Sequence, residues 1–178
     1  SDNYEIGLRT QPTQWLEVEL AAYILDFNHK IFRKSGLLNN GGKALHRGIE
    51  VSGAIYPVEG LKLYGSGAIQ RATIEYGMNT SNRVPYAPRY TATAGAKYQC
   101  GVGEGTLTTN VYGNFVSSQF SDLANTLEGS ANGNVGLIPK FFLLNATANY
   151  SIKQWNVNLN ALNLLNRKYF TTRHRAWG

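Results

Sequence analysis

The sequence predicts an all-β fold, a segment of about eight antiparallel strands in the wall of a transmembrane β-barrel. Three observations predict it. The first is alternation with a period of two, which gives a strand one apolar and one polar face. It is clearest at 141–166, where Phe142, Leu144, Ala146, Ala148, Tyr150 and Ile152 oppose Asn145, Thr147, Asn149 and Ser151. After the turn Lys153-Gln154, Val157, Leu159 and Ala161 oppose Asn156, Asn158 and Asn160. The second is length. Strands of about ten residues exceed the usual five or six and match the roughly 9 to 11 that cross a bilayer at a tilt. The third is the order of the connections: short at 12–14, 57–60, 100–105 and 153–154, long at 28–46, 77–88, 117–140 and from 167 on. A sandwich has no reason to sort its loops in this way, whereas outer-membrane barrels pair short periplasmic turns with long external loops. Such a sheet must close on itself, because an unpaired backbone group in hydrocarbon costs several kcal/mol.

The elements follow in order. A first strand at 3–11 turns at Pro12-Thr13-Gln14, and a second sets Leu16, Val18, Leu20, Ala22 and Ile24 against Glu17, Glu19, Ala21 and Tyr23. The polar stretch 28–46, with His29, Lys30, Arg33, Lys34, Lys43 and Asn39-Asn40-Gly41-Gly42, reads as a long cationic loop. A third strand at 47–56 sets Ile49, Val51 and Ile55 against Glu50, Ser52 and Ala54. A fourth, from Leu61 to about Glu75, is long enough to project beyond a bilayer. Two prolines in Val84-Pro85-Tyr86-Ala87-Pro88 keep 77–88 out of the ladder. In the fifth strand Tyr90 and Tyr98 bracket Ala92, Ala94 and Ala96, the arrangement of an interfacial aromatic girdle. A glycine turn at 100–105 leads to the sixth, with Leu107, Val111 and Phe115 opposite Thr108, Asn110, Tyr112 and Asn114. The segment 117–140 reads as irregular, and the hairpin at 141–166 follows it.

Composition narrows the function. The chain has 178 residues and 19 glycines, 11 tyrosines and 7 phenylalanines, a balance suited to strands and tight turns. No run approaches 18 apolar residues, so no transmembrane helix is expected. The formal charge of +6 suits an anionic ligand or an acidic lipid surface. Its cations are scattered over loops without the aromatic motifs of an RNA-binding sheet, so nucleic acid is not an expected partner. Cys100 stands alone, and His29, His46 and His174 lack metal-ligand spacing. Gly101-Val102-Gly103-Glu104-Gly105 lacks the lysine and the helix of a phosphate loop, and no nucleophile motif occurs. The residues give no sign of an enzyme or of a cofactor. The pair Glu17 and Glu19 reads as carboxylates on a watery wall rather than as a catalytic dyad.

Four stretches carry a resemblance: Asn3-Tyr4-Glu5-Ile6-Gly7, the span from Asn40-Gly41-Gly42 to Gly48-Ile49-Glu50, Val84-Pro85-Tyr86-Ala87-Pro88-Arg89, and Asn163-Leu164-Leu165-Asn166-Arg167-Lys168-Tyr169. In that order and spacing they resemble the C-terminal barrel region of TonB-dependent outer-membrane receptors, over essentially all of 1–178. Ser117-Ser118-Gln119-Phe120-Ser121-Asp122, Ala124-Asn125-Thr126 and Gly136-Leu137-Ile138-Pro139 look most like the ferric dicitrate branch. The resemblance implies a 22-stranded barrel in the Gram-negative outer membrane, filled by a plug domain, that takes up a ferric siderophore or citrate chelate with energy from TonB. Iron would travel as the chelated substrate. The sequence shows no plug, TonB box or final strand, so this segment by itself is not expected to transport, and its outermost strands are expected to be open edges. An anionic ferric citrate would be drawn by loop cations; the candidate ligand contacts are Lys30, Arg33, His29 and Arg83. Lipid and lipopolysaccharide are expected partners of the same basic loops. Glu17, Glu19, Glu50 and Lys62 are expected to face a plug. A passive porin would share this wall, and a soluble β-sandwich or adhesin would share the alternation.

Overall fold

The computed structural model describes residues 1–34, 37–76 and 79–173, with the side chains of 29–41 outside the description. Its main body is one eight-stranded antiparallel sheet of order β1-β2-β3-β4-β5-β6-β9-β10. The strands are β1 Asp2–Thr13, β2 Leu16–Lys34, β3 Leu37–Val58, β4 Leu61–Tyr76, β5 Tyr90–Val102, β6 Gly105–Val116, β9 Phe141–Ile152 and β10 Trp155–Ala161. A small second ladder, β7 Gln119–Phe120 with β8 Leu137–Ile138, lies within the long β6–β9 connection. Every strand of the large sheet pairs with its neighbour along the chain, so the sheet is a meander with β1 and β10 at its edges. No helix among the described residues is long and apolar enough to cross a membrane, which says nothing of strands.

Register carries the predicted alternation across the whole sheet. One row runs Leu16–Ile55–Leu63–Ala96–Val111–Ala146–Ala161, and another Leu8–Leu20–Val51–Gly67–Ala92–Phe115–Phe142. Rows of this kind face outward with nothing packed on them. Ile49 is 56 % exposed, Ile69 57 % and Leu159 69 %. A sandwich would bury such residues between layers, so the second-layer alternative is contradicted. Aromatic residues mark both limits of the apolar face, with Tyr4, Tyr90 and Phe142 near one end and Tyr98 and Trp155 near the other, all of them exposed. From Tyr90 to Tyr98 an extended strand covers roughly 27 Å before any tilt.

Several boundaries correct the sequence expectation. The supposed loop 28–46 is mostly hairpin: Arg33 pairs with Leu38, Lys30 with Gly42, and bulges at Phe27/Lys30 and Lys30/Ile31 adjust the register. Polar residues on both faces resemble a loop in composition, but above a membrane both faces of a ladder are wet, and the backbone hydrogen bonds continue without apolar help. β1 runs on through Thr13, so its turn falls at Gln14-Trp15. β5 likewise continues through Cys100 to Val102, leaving only Gly103-Glu104 to turn, with Gly103 at φ +59°. β10 ends at Ala161. Beyond it Leu164 N still donates to Leu144 O at 2.8 Å, so the chain follows β9 without forming a regular ladder.

Candidate functional site

The polar face, opposite the apolar rows, concentrates its charge on β1 to β4. On β1 to β4 it carries Arg9, Glu17, Glu19, Glu50 and Lys62, and Arg9 lies directly opposite Glu19 in register. Tyr56 Oη donates to Glu17 Oε1 at 3.1 Å, and Lys62 Nζ stands 4.0 Å from Glu17 Oε2 and 5.2 Å from the Tyr56 ring centre. On β5 to β10 amides and hydroxyls predominate, with Lys97, directly opposite Lys62, the charge that β5 adds. Tyr64 Oη donates to Asn110 Oδ1 at 3.0 Å, Asn114 Nδ2 to Thr93 Oγ1 at 2.9 Å, Asn145 Nδ2 to Asn114 Oδ1 at 3.1 Å and Asn149 Nδ2 to Asn158 Oδ1 at 2.6 Å. The sequence places these groups on the predicted watery side.

At the long-loop end this face is roofed. Val84 is buried against Ala44, Ala72 and Ile74, which have polar-face parity, with Phe27, Ala87 and Leu123 packed around them. Apolar residues on an otherwise polar wall are thus explained by the connection that folds over them. The 79–89 connection re-enters the ladder briefly, since Arg83 bridges Thr73, Val84 N donates to Ala72 O at 3.0 Å and Ile74 N to Asn82 O at 2.9 Å. The β6–β9 connection is then tied onto it. Asn125 accepts from Arg83 N at 2.7 Å and donates to Arg83 O at 2.8 Å, Asn82 Nδ2 donates to Leu123 O at 3.0 Å, and Tyr86 N donates to Phe120 O at 2.8 Å. Asp122 closes its own turn by accepting from Ala124 N, Thr126 N and Thr126 Oγ1. The segment after β10 reaches the same roof: Arg173 donates to Gly133 O at 3.0 Å and Leu137 O at 3.3 Å, and its backbone carbonyl accepts from Tyr86 Oη at 2.9 Å.

The candidate ligand contacts are distributed over this end. His29, Lys30 and Arg33 ride on the far part of β2 instead of a loop, and their side chains lie outside the described residues. Arg83 is in the roof. Its guanidinium donates to Ala87 O at 3.4 Å and lies 5.4 Å from the Phe120 ring centre; burial, and then the nearby Arg89, hold its pKa below the ordinary arginine value. Lys43 is occupied by Asp26 at 3.0 Å, and His174 and Arg175 lie outside the described residues. Sequence reasoning missed Asn125 and Asp122 as organisers of the roof. The Asp-x-x-x-Thr spacing of a side-chain-capped turn was the available signal. Among the described residues no group of three His, Cys, Asp or Glu is placed to hold a metal ion.

Residues 1–164 match the family described as "TonB dependent receptor-like, beta-barrel". The chain belongs to the TonB-dependent receptor β-barrel family. It is similar to the solved ferric citrate transporter FecA in its unliganded form, at 28% identity and a TM-score of 0.83, covering 97% of this chain and 27% of that one. BauA, the ferric preacinetobactin receptor from Acinetobacter baumannii, matches at 25% identity and a TM-score of 0.74, covering 94% and 25%. The ferric yersiniabactin uptake receptor FyuA from Yersinia pestis shares the fold at 22% identity and a TM-score of 0.78, covering 96% and 25%. The chain therefore spans about a quarter of the length of these solved barrel-family receptors.

Proposed function

We propose that this chain forms part of the barrel of a Gram-negative outer-membrane receptor that takes up a ferric chelate, of the citrate class, with energy supplied through TonB. The observation that carries the reading is the likeness to FecA along nearly the whole chain. The cationic long-loop end supports it, because an anionic chelate is attracted there and arginine supplies charge-assisted hydrogen bonds. In this reading the receptor is a transporter and not an enzyme, and iron is cargo instead of a resident cofactor. Lys30, Arg33, His29 and Arg83 meet the chelate, Arg83 from within the roof. The charged half of the polar wall, Glu17, Glu19, Glu50 and Lys62, meets a plug domain, and lipid and lipopolysaccharide meet the outside.

The test is uptake of radioiron by receptor-deficient cells that express the full-length receptor containing this chain, supplied with ferric citrate or with a neutral ferric siderophore. Saturable ferric citrate uptake that stops when the inner membrane is de-energised is the expected result. Uptake that ignores the energy state would make the protein a passive porin. Uptake of only the neutral chelate would remove citrate from the proposal.

A further inference from the structure

The polar face carries a pair of cations far from the roof. Lys62 and Lys97 are direct cross-strand neighbours in the row Lys62–Lys97–Asn110–Thr147–Asn160. Lys62 is the second residue of β4, directly after the 57–60 turn, so the row lies at the short-turn end of the wall. That is the end opposite the long connections and their cations. Tyr56, Glu59, Lys62, Lys97 and Gln99 line an open groove of about 810 Å³ there.

Like charges directly opposite each other on one face of a sheet repel, and an anion between them removes the repulsion. Lys62 is partly compensated, with Glu17 Oε2 at 4.0 Å. Lys97 is exposed and forms no ion pair among the described residues. The other carboxylates nearby do not reach it: Glu104 is held by Lys153 at 3.0 Å, and Glu59, which lines the groove, forms a salt bridge with neither lysine. On its other side Lys97 faces Asn110, whose Oδ1 already accepts from Tyr64 Oη at 3.0 Å, so its Nδ2 is left to donate. Three adjacent strands thus offer two ammonium groups and an amide in one row. Such donors suit carboxylate oxygens through charge-assisted hydrogen bonds, and the flexible lysine stems let the charges follow a ligand of irregular shape. Between this row and the roof, β5, β6 and β9 present amides bonded to their neighbours, such as Asn114 to Thr93 and Asn145 to Asn114, and no carboxylate. An anion moving along that side of the wall meets no like charge.

We propose that Lys62, Lys97 and Asn110 form an inner station that binds a carboxylate-rich anionic metal chelate at the end of the wall where it leaves the barrel. The proposal rests on the uptake reading above and adds to it a second contact, remote from Lys30, Arg33, His29 and Arg83. The experiment uses the full-length receptor purified in detergent, ferric citrate as the probe, and an amine-acylating reagent whose reaction with each lysine is followed by mass spectrometry. At about ten times the half-protecting concentration of ferric citrate, Lys97 should be acylated about tenfold more slowly, because mass action leaves about a tenth of the sites free. Lys153, paired with Glu104 on a turn, should react at an unchanged rate. Lys62→Gln should raise the half-protecting concentration about tenfold or more, and Lys30→Glu/Arg33→Glu should leave it unchanged. Equal reaction of Lys97 with and without ferric citrate overturns the proposal, as does an unchanged half-protecting concentration in Lys62→Gln. A Lys97 that is unreactive in both conditions also overturns it, since an acidic side chain of the plug would then hold the lysine. Protection that disappears in Lys30→Glu/Arg33→Glu would come from the outer end and overturns it too. Radioiron uptake is read separately. Protection of Lys97 in a receptor that imports no ferric citrate would sink the citrate uptake reading and leave the station standing, whereas import without protection would sink the station alone.

Discussion

Asn125 holds two loops together with one side chain. Its amide both accepts from and donates to the backbone of Arg83, and its own φ of +56° is one that asparagine tolerates better than most residues. Asn125→Ala removes both bonds and leaves Arg83 N–H without its partner. At about 1 kcal/mol for each bond, the amide of Arg83 should exchange with solvent roughly ten to a hundred times faster, read by hydrogen–deuterium exchange, while amides in the middle of β4 stay unchanged. Gly95 is a different kind of residue-level device. Tyr64 folds across it to reach Asn110 on the following strand, and a Cβ at Gly95 would lie 2.6 Å from the Tyr64 hydroxyl and 2.8 Å from Tyr112 Cβ. Gly95→Val should therefore cost about 1–3 kcal/mol of overpacking and break the bond to Asn110. A lowered yield of heat-resistant folded receptor would show it, and a fully parental yield would mean that the ring moves aside freely.

Each strand of the large sheet separates two environments, so neighbouring residues should tolerate charge very differently. Val51 lies in an apolar row and Ser52, next along β3, lies opposite Glu19 and Ser66 on the polar face. Val51→Arg should destabilise the folded full-length receptor in liposomes by about 2–4 kcal/mol, and Ser52→Arg by much less, as measured by reversible denaturant unfolding. Equal costs would mean that Val51 does not face hydrocarbon. The hairpin formed by β2 and β3 shows where this rule stops. Above the belt both faces are wet, alternation fades, and His29, Lys30 and Arg33 read as loop although their backbone is in a ladder. Gly60 shows the opposite case, a turn legible in the sequence and required by the structure: its φ is +77°, and a side chain there would run into the carbonyl oxygen of Gln99.

For the whole molecule, the arrangement of charge decides what the long-loop end attracts. Reversing Lys30 and Arg33 together, as Lys30→Glu/Arg33→Glu, should weaken ferric citrate binding to the full-length receptor about tenfold or more and flatten its dependence on salt. Equilibrium binding across a salt series measures both, and unchanged affinity would remove these residues from the contact set. The meander of eight strands and its two faces could be read from residues such as Leu63, Tyr90 and Asn149, because a strand between lipid and water must alternate wherever it runs, whereas the first of the long connections read from the sequence, 28–46, is mostly ladder. The inward fold of the connections could not. Val84 meets Ala44 and Ile74 across distant stretches of chain, and Asn125 finds Arg83 only when β4, β5 and β6 have aligned their ends. Arg47 and Arg71 look like unrelated cations until register sets them side by side. Period and composition are local and one-dimensional, so the sequence determined the wall and its two solvents. Contacts between loops and between strands depend on register and packing in three dimensions, so only the tertiary structure decided what roofs the wall and which charges face one another.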